Sequence, residues 1–321
     1  MRGLAILALV LTLGWCGYWF VGARALDRGI GSALTRVSQV SAASHRILGF
    51  PNRFDVTFDA PRVVADGVDW SAPFVQIFAL SYRLNHVIAV FANDQALRIR
   101  GQDFTLHSAD LRASVVMEAG LDLPLDRVSL VGEALELSTD GQTHRAGALR
   151  AASRRIAPQD HELAIEVEAL FPDAALLRRL DPQELWPRRF DRLRLSAVAR
   201  TDRPLDRHLV DGAPPRLQTL TLTGARVAWE GIDITATGAL EPGPRGLLSG
   251  EVSVVITGWQ ALLAQARAAG ALTGTEDPMT ALVLNSLATP GNPDRVEAAF
   301  ALVDGEIWLG PLSLGRVPAL W

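Results

Sequence analysis

The sequence predicts a mainly β protein with a few helices. An elongated, curved antiparallel sheet carries an inserted helical hairpin and is preceded by one N-terminal transmembrane helix. Three observations predict it. From Arg53 onward, apolar and polar residues alternate with a period of two in several segments. A short pattern with a central glycine recurs three times along the chain. No charged residue lies between Arg2 and Arg24.

The uncharged stretch Gly3–Ala23 comes first. At helical rise it spans about 31 Å, the thickness of a bilayer's hydrocarbon core. Trp15, Tyr18, Trp19 and Phe20 gather toward its far end, as in an aromatic headgroup belt. The rival is a cleaved secretory signal, whose apolar region runs roughly 7 to 15 residues before a small-x-small site. The sequence offers Ala23-Arg24-Ala25, with arginine in the middle. Length favours an uncleaved anchor. Cys16 follows Trp15, whereas a lipobox needs a small residue there. Arg2 precedes the span while Arg24 and Arg28 follow it, so the positive-inside rule is nearly silent. The signal-like character places the bulk of the chain outside the cytoplasm.

Residues 24–49 read as a juxtamembrane helical segment ending at Gly49-Phe50-Pro51. In Arg53–Asp59, Phe54, Val56 and Phe58 share one face and Arg53, Asp55, Thr57 and Asp59 the other, a half-buried strand. Residues 74–92 read as two strands around Arg83-Leu84-Asn85-His86. In residues 161–169, Leu163, Ile165 and Val167 alternate with Glu162, Ala164, Glu166 and Glu168. One charged face marks an antiparallel sheet with one side wet. The recurring pattern is Ile99-x-Gly101-x-x-Phe104-x-Leu106, Leu130-x-Gly132-x-x-Leu135-x-Leu137 and Leu222-x-Gly224-x-x-Val227-x-Trp229. Its glycine reads as a bulge or kink inside a strand. Helices are expected at Phe171–Leu180, with a short turn at Pro182–Trp186, at Trp259–Ala269, and from Asp277 and Pro278 to residue 288. The last two form the hairpin near 259–288. The expected divisions are an anchor at 1–23, the segment 24–49, and a β domain in two halves, 50–157 and 158–321. The apolar tail ending in Trp321 reads as a closing strand.

Composition bounds the chemistry. All 31 basic residues are arginine. Beyond residue 23, 30 arginines face 35 acids, a net of −5, which argues against a nucleic-acid partner. The single cysteine lies inside the apolar stretch, leaving the domain without disulfide or thiolate chemistry. The six histidines are scattered, none paired at i, i+4, and His161-Glu162 is half a zincin motif. Gly29-Ile30-Gly31 lacks the third glycine and the preceding strand of a dinucleotide loop. Asp66 and Asp69, and Glu166 and Glu168, are close in sequence, but on strand faces such pairs serve solvation. The arginine-rich stretch 178–207 offers either an anionic headgroup contact or a solvated strand face. The expectation is a protein with no catalytic residue, metal or cofactor.

The run from Trp70 to Val90, with Gly49-Phe50-Pro51 before it and Asp304–Pro311 after it, resembles the Gram-negative bacterial family of domain of unknown function 2125. The resemblance covers nearly the whole chain. It implies an envelope protein and carries over no catalytic residue. By pattern alone, the β repeats and helical insertion are similar to AsmA-like and TamB-like envelope proteins, which are anchored in the inner membrane and implicated in lipid handling.

The expected function is therefore non-enzymatic. A single-pass inner-membrane protein, with its bulk periplasmic, binds or conducts lipid along an apolar β face. The candidate face comprises Phe54, Val56, Phe58, Leu220, Leu222, Val227, Trp229, Val252, Val254 and Ile256. Either the helices cover it as plain core, or part stays open to acyl chains. The alternatives are a scaffold that contacts other envelope proteins through the tail or a sheet edge, and an enzyme whose site converges only in space.

Overall fold

A computed structural model gives the structure. It describes residues 2–65, 67–174, 177, 187–209, 215–268, 282, 284–310 and 312–320. The chain divides into two compact units, Met1–Gly132 with Glu136–Gly141, and Glu133–Leu135 with Gln142–Trp321. Both are built on antiparallel strands.

The first unit opens with α1 (Arg2–Arg36), one continuous helix of 35 residues. Strands β1 (Val40–Ser41), β2 (Ser44–Leu48), β3 (Arg53–Asp59), β4 (Arg62–Ala65), β5 (Val68–Ser71) and β6 (Phe74–Leu80) follow. Then come β7 (Arg83–Phe91), β8 (Asp94–Ile99), β9 (Gln102–His107), β10 (Asp110–Met117) and β11 (Leu125–Thr139). The pairings resolve these pieces into a simple meander. β2, β3, β6, β7 and β10 pair in that order, and β1, β4, β5, β8, β9 and β11 pair in the matching order.

Five long strands are thus each broken once, by two residues: 42–43, 60–61, 72–73, 92–93 and 108–109. The breaks line up. Ala43 N–H donates to Asp59 O (2.9 Å), Ala60 N–H to Pro73 O (2.8 Å), Ala72 N–H to Pro61 O (3.2 Å) and Ser108 N–H to Asn93 O (2.9 Å). The Asn93 amide adds bonds to Ser108 O and Ala109 O. Together they form a crease across the unit. Each break begins with a small residue: Ala42, Ala60, Ala72, Ala92 or Ser108. Ala72, Ala92 and Ser108 are buried.

Helix α1 ends at Arg36, so the juxtamembrane segment is helical only in its first half. Beyond it, His45 and Ile47 are half-buried while Arg46 and Leu48 are exposed, and Ile47 faces Val56 across β2 and β3. Period-two burial in a five-residue strand outweighs modest helix propensity. The β6–β7 turn also differs from expectation, sitting at Ser81-Tyr82. Asn85 and His86 are spent across strands, on Met117 O (2.7 Å) and Ser114 Oγ (3.0 Å).

The second unit is again a meander. It comprises β12 (Gln142–Ala157), β13 (Asp160–Phe171), β14 (Phe190–Thr201), β15 (Leu217–Trp229), β16 (Ile232–Pro242) and β17 (Leu248–Thr257). Helix α2 (Trp259–Ala268) follows, then β18 (Ala288–Thr289), β19 (Asn292–Val303), β20 (Glu306–Leu309) and β21 (Leu312–Arg316). β12 pairs with β13 from Arg145 to Ala157. α2 is the first helix of the expected hairpin. Of the second, Leu282 and residues 284–286 are helical; residues 269–281 and Val283 lie outside the described residues. The helix expected at 171–180 and the turn at 182–186 also fall largely outside them.

The recurring glycine does not play one role. Gly224 sits at a register shift in β15, as expected of a bulge. Gly101 instead occupies the β8–β9 turn with φ +85°. Gly132 lies within β11.

Candidate functional site

In the second unit the register aligns apolar residues in rows across β13 to β19. One row runs Val167, Leu193, Val227, Ile234, Ile256, Val296. The next runs Ile165, Leu195, Ala225, Ala236, Val254, Ala298, and a third Leu163, Ala197, Leu222, Gly238, Val252, Phe300. All lie on one face, because each row is two residues from its neighbour along β13.

Cover is uneven over this face. At one end α2 lies on it. Trp259 and Leu263 pack with Val296, Ile256, Leu284 and Leu287, and the Trp259 indole donates to Pro293 O at 2.8 Å. Leu262 packs on Phe190, Trp229 and Ile232, together with Val227, Ile234, Leu193 and Leu170. At the other end Val317 and Ile307 pack with Leu240, Leu248 and Leu302, beside Leu220, Leu222 and Val252. The middle row belongs to none of these clusters. Leu195, Ala225, Ala236, Val254 and Ala298 are half-buried, and Ile165 is exposed.

Of the sequence-predicted residues, Leu220, Leu222 and Val252 thus lie under the C-terminal segment, Val227, Trp229 and Ile256 under α2, and Val254 in the middle row. Trp229 is 4 % exposed. The alanines of the middle row were missed because alanine alone carries little hydrophobic signal; their alignment shows only once strand register is known.

Phe54, Val56 and Phe58 are in the first unit, and helix α1 covers the start of their face. Phe54 and Val56 are buried. Trp19 stacks on Phe54 (5.7 Å between centroids) and meets Phe50 edge-on. A Cβ at Gly22 would touch the Phe54 ring at 3.0 Å. Farther along, Asp27 meets His45 at 2.8 Å, and the His45 ring lies against Phe58. On α1 the residues withdrawn from solvent include Trp19, Ala23, Leu26, Ile30 and Leu34, a spacing of three and four that makes one helix face. That stripe was legible but was masked by the apolar run containing its start.

Three aromatic residues of the expected belt are hydrogen-bonded in this joint. Trp19 Nε1 donates to Arg53 O (2.7 Å), Trp15 Nε1 to Pro51 O (3.1 Å) and Tyr18 Oη to Ser81 O (2.7 Å). The acceptors are strand ends and turn backbone of the first unit.

The polar face of each unit is laced by arginine–carboxylate pairs. Arg62 holds Asp69, Arg98 holds Asp103, Arg200 holds Asp160 (2.7 Å) and Arg226 holds Asp233. Hydrogen bonds from these guanidinium groups lower the pKa of Asp69, Asp103 and Asp160 below the usual aspartate range. Glu166 and Glu168 pair with Arg192, and Glu168 also with Arg150. Within the arginine-rich stretch, the described Arg192 and Arg200 are therefore paired across strands. Asp66 lies outside the described residues.

The histidines stay apart. His86 bonds Ser114, His107 meets Asp94 on the surface at 2.7 Å, and His144 Nδ1 accepts from the Asp173 N–H. Among the described residues no group of three His, Cys, Asp or Glu side chains could hold a metal ion. A helix long and apolar enough to cross a membrane is present, α1.

Residues 19–318 match the model of a family described as an uncharacterized protein conserved in bacteria, DUF2125. The chain belongs to that family. No curated protein matches it.

Proposed function

We propose that this DUF2125 member is a membrane-anchored protein of the bacterial envelope that binds lipid non-enzymatically. Its anchor is α1, retained in the inner membrane, with both units on the periplasmic side. The carrying observation is the half-buried middle row of the second unit, Leu195, Ala225, Ala236, Val254 and Ala298. Small side chains there leave a shallow apolar floor between two covered ends. An acyl chain laid along that floor would complete its burial, each methylene contributing about 0.8 kcal/mol.

The test is mass spectrometry of the intact protein purified in mild detergent, beside an Ala236→Glu variant. A carboxylate on the middle row disfavours an apolar ligand while leaving the covered clusters alone. Lipid retained by the wild type and reduced in the variant, at a similar melting temperature, supports the reading. Equal lipid on both assigns it to the shell around the anchor instead. A protein copurifying at fixed stoichiometry would favour an adaptor role, for which β21, at the end of the described pairings, offers a strand edge.

A further inference from the structure

The depth at which α1 meets the first unit has a geometric consequence. Trp15, Tyr18 and Trp19 are hydrogen-bonded to Pro51, Ser81 and Arg53, so the turns carrying those acceptors lie level with the second half of the apolar stretch. Residues 3–14 alone stand clear of the unit. At helical rise they measure about 18 Å, against about 30 Å of hydrocarbon. A helix that crosses the bilayer must therefore draw part of the first unit in with it.

The meander places three turns at that end, 49–52, 81–82 and 118–124, while Gly67 and 100–101 turn at the other. The near end carries exposed apolar side chains at each turn. Phe50 is 50 % exposed, Tyr82 65 % and Leu121 87 %, with Leu84 beside them. Phe20, on the helix, stacks on Phe50 at 5.5 Å, which extends the patch onto the anchor. Between the turns lies a depression of about 460 Å³ lined by Tyr18, Tyr82, Leu84, Met117 and Leu123 among others. Arg83 is exposed on the same rim, where a long basic side chain can rise to lipid phosphate.

We propose that this end of the first unit is a membrane-inserted wedge. Phe50, Tyr82, Leu84 and Leu121 sit in the outer leaflet of the membrane that α1 crosses, beside the helix. The wedge supplies the thickness that the free part of α1 lacks. Its occupant is a lipid surface, and the proposal rests on the reading of α1 as a retained anchor.

The test uses the full chain reconstituted in phosphatidylethanolamine–phosphatidylglycerol vesicles. In a Cys16→Ala background, single cysteines at Val10, Tyr82, Leu121 and Ile99 are labelled with an environment-sensitive fluorophore. Lipids spin-labelled near the glycerol backbone or deep in the acyl chain quench by depth, and iodide quenches from water. Val10 reports the anchor and Ile99 the far end. For the wedge, labels at positions 82 and 121 shift to the blue, are quenched by the shallow spin label and are shielded from iodide, while position 99 stays open to iodide. If Val10 is quenched deep in the bilayer but positions 82 and 121 behave like 99, the anchor stands and the wedge is overturned, the bilayer having thinned instead. If Val10 itself is open to iodide, α1 does not span and both readings fall.

Discussion

Trp229 is the residue at which an open face and a covered core diverge most. Its ring meets Phe190 edge-on at 5.8 Å and clusters with Ile232, with Leu262 packed against that cluster. Its indole Nε1 is buried without a hydrogen-bond partner. Two substitutions then have different expected sizes. Trp229→Phe gives up roughly 50 Å² of apolar contact, about 1.2 kcal/mol at ~25 cal/mol per Å². It also removes a buried N–H whose lack of a partner costs about 1–3 kcal/mol. The two effects cancel or leave a small gain, so the variant should melt close to the wild type. Trp229→Arg places an unpaired charge in the same space and loses the ring, a loss of about 4 kcal/mol or more. A domain of ordinary stability has about 5–15 kcal/mol in total, so this variant should unfold at a much lower urea midpoint. The assay is urea unfolding of the full chain in detergent, followed by far-ultraviolet circular dichroism. A Trp229→Arg protein with a wild-type midpoint would refute the argument, because a covered residue cannot accept that charge. A Trp229→Phe protein destabilised by several kcal/mol would show that the indole nitrogen has a partner.

Trp19→Ala should weaken the α1 joint by about 3–5 kcal/mol, as for other buried Trp truncations, seen as faster proteolysis between residues 37 and 43. Gly250→Ala should be strongly destabilising, because the added Cβ would lie 2.1 Å from Ala239 O at a φ of +146°; a midpoint unchanged in urea would mean that β16 and β17 can part there. Asp69, Asp103 and Asp160 have lowered folded pKa values, so their contribution is complete above the ordinary value of about 3.9 and is lost as pH falls through the folded values. Melting temperature should accordingly change little at neutral pH and drop below about pH 4, with a shallower drop in Asp160→Asn; an identical acid limb in that variant would remove the Arg200 pair from the account. Prolonged chelation should leave the melting temperature unchanged, and a fall restored by zinc or calcium would reveal a metal site.

What the sequence made legible was what depends on local periodicity. Phe54, Val56 and Phe58 announced β3, Leu163 to Val167 announced β13, and Trp259, Leu262 and Leu263 announced α2. The uncharged run announced the first part of α1. What stayed hidden depends on neighbours. The crease escaped notice although Ala60-Pro61, Ala72-Pro73 and Ala92-Asn93 recur, since two-residue breaks keep the alternation in phase and read as ordinary strand. Asn85 and His86 looked like a turn because their partners, Met117 and Ser114, lie about thirty residues away. The middle row of the candidate site required register, which a single strand does not encode.

Because each meander pairs a strand with the one that follows it, most of the fold grows from one end. A chain emerging amino-terminus first can add each strand to the edge left by its predecessor. Loop closure is then short at nearly every step, which favours quick assembly. The exception is β17 to β19, where the intervening chain must return before the ladder resumes. Until it does, β17 is an open edge, and a chain arrested there presents its unpaired backbone to any other strand nearby. Synthesis of this protein thus has a vulnerable interval, between the emergence of Thr257 and that of Val303.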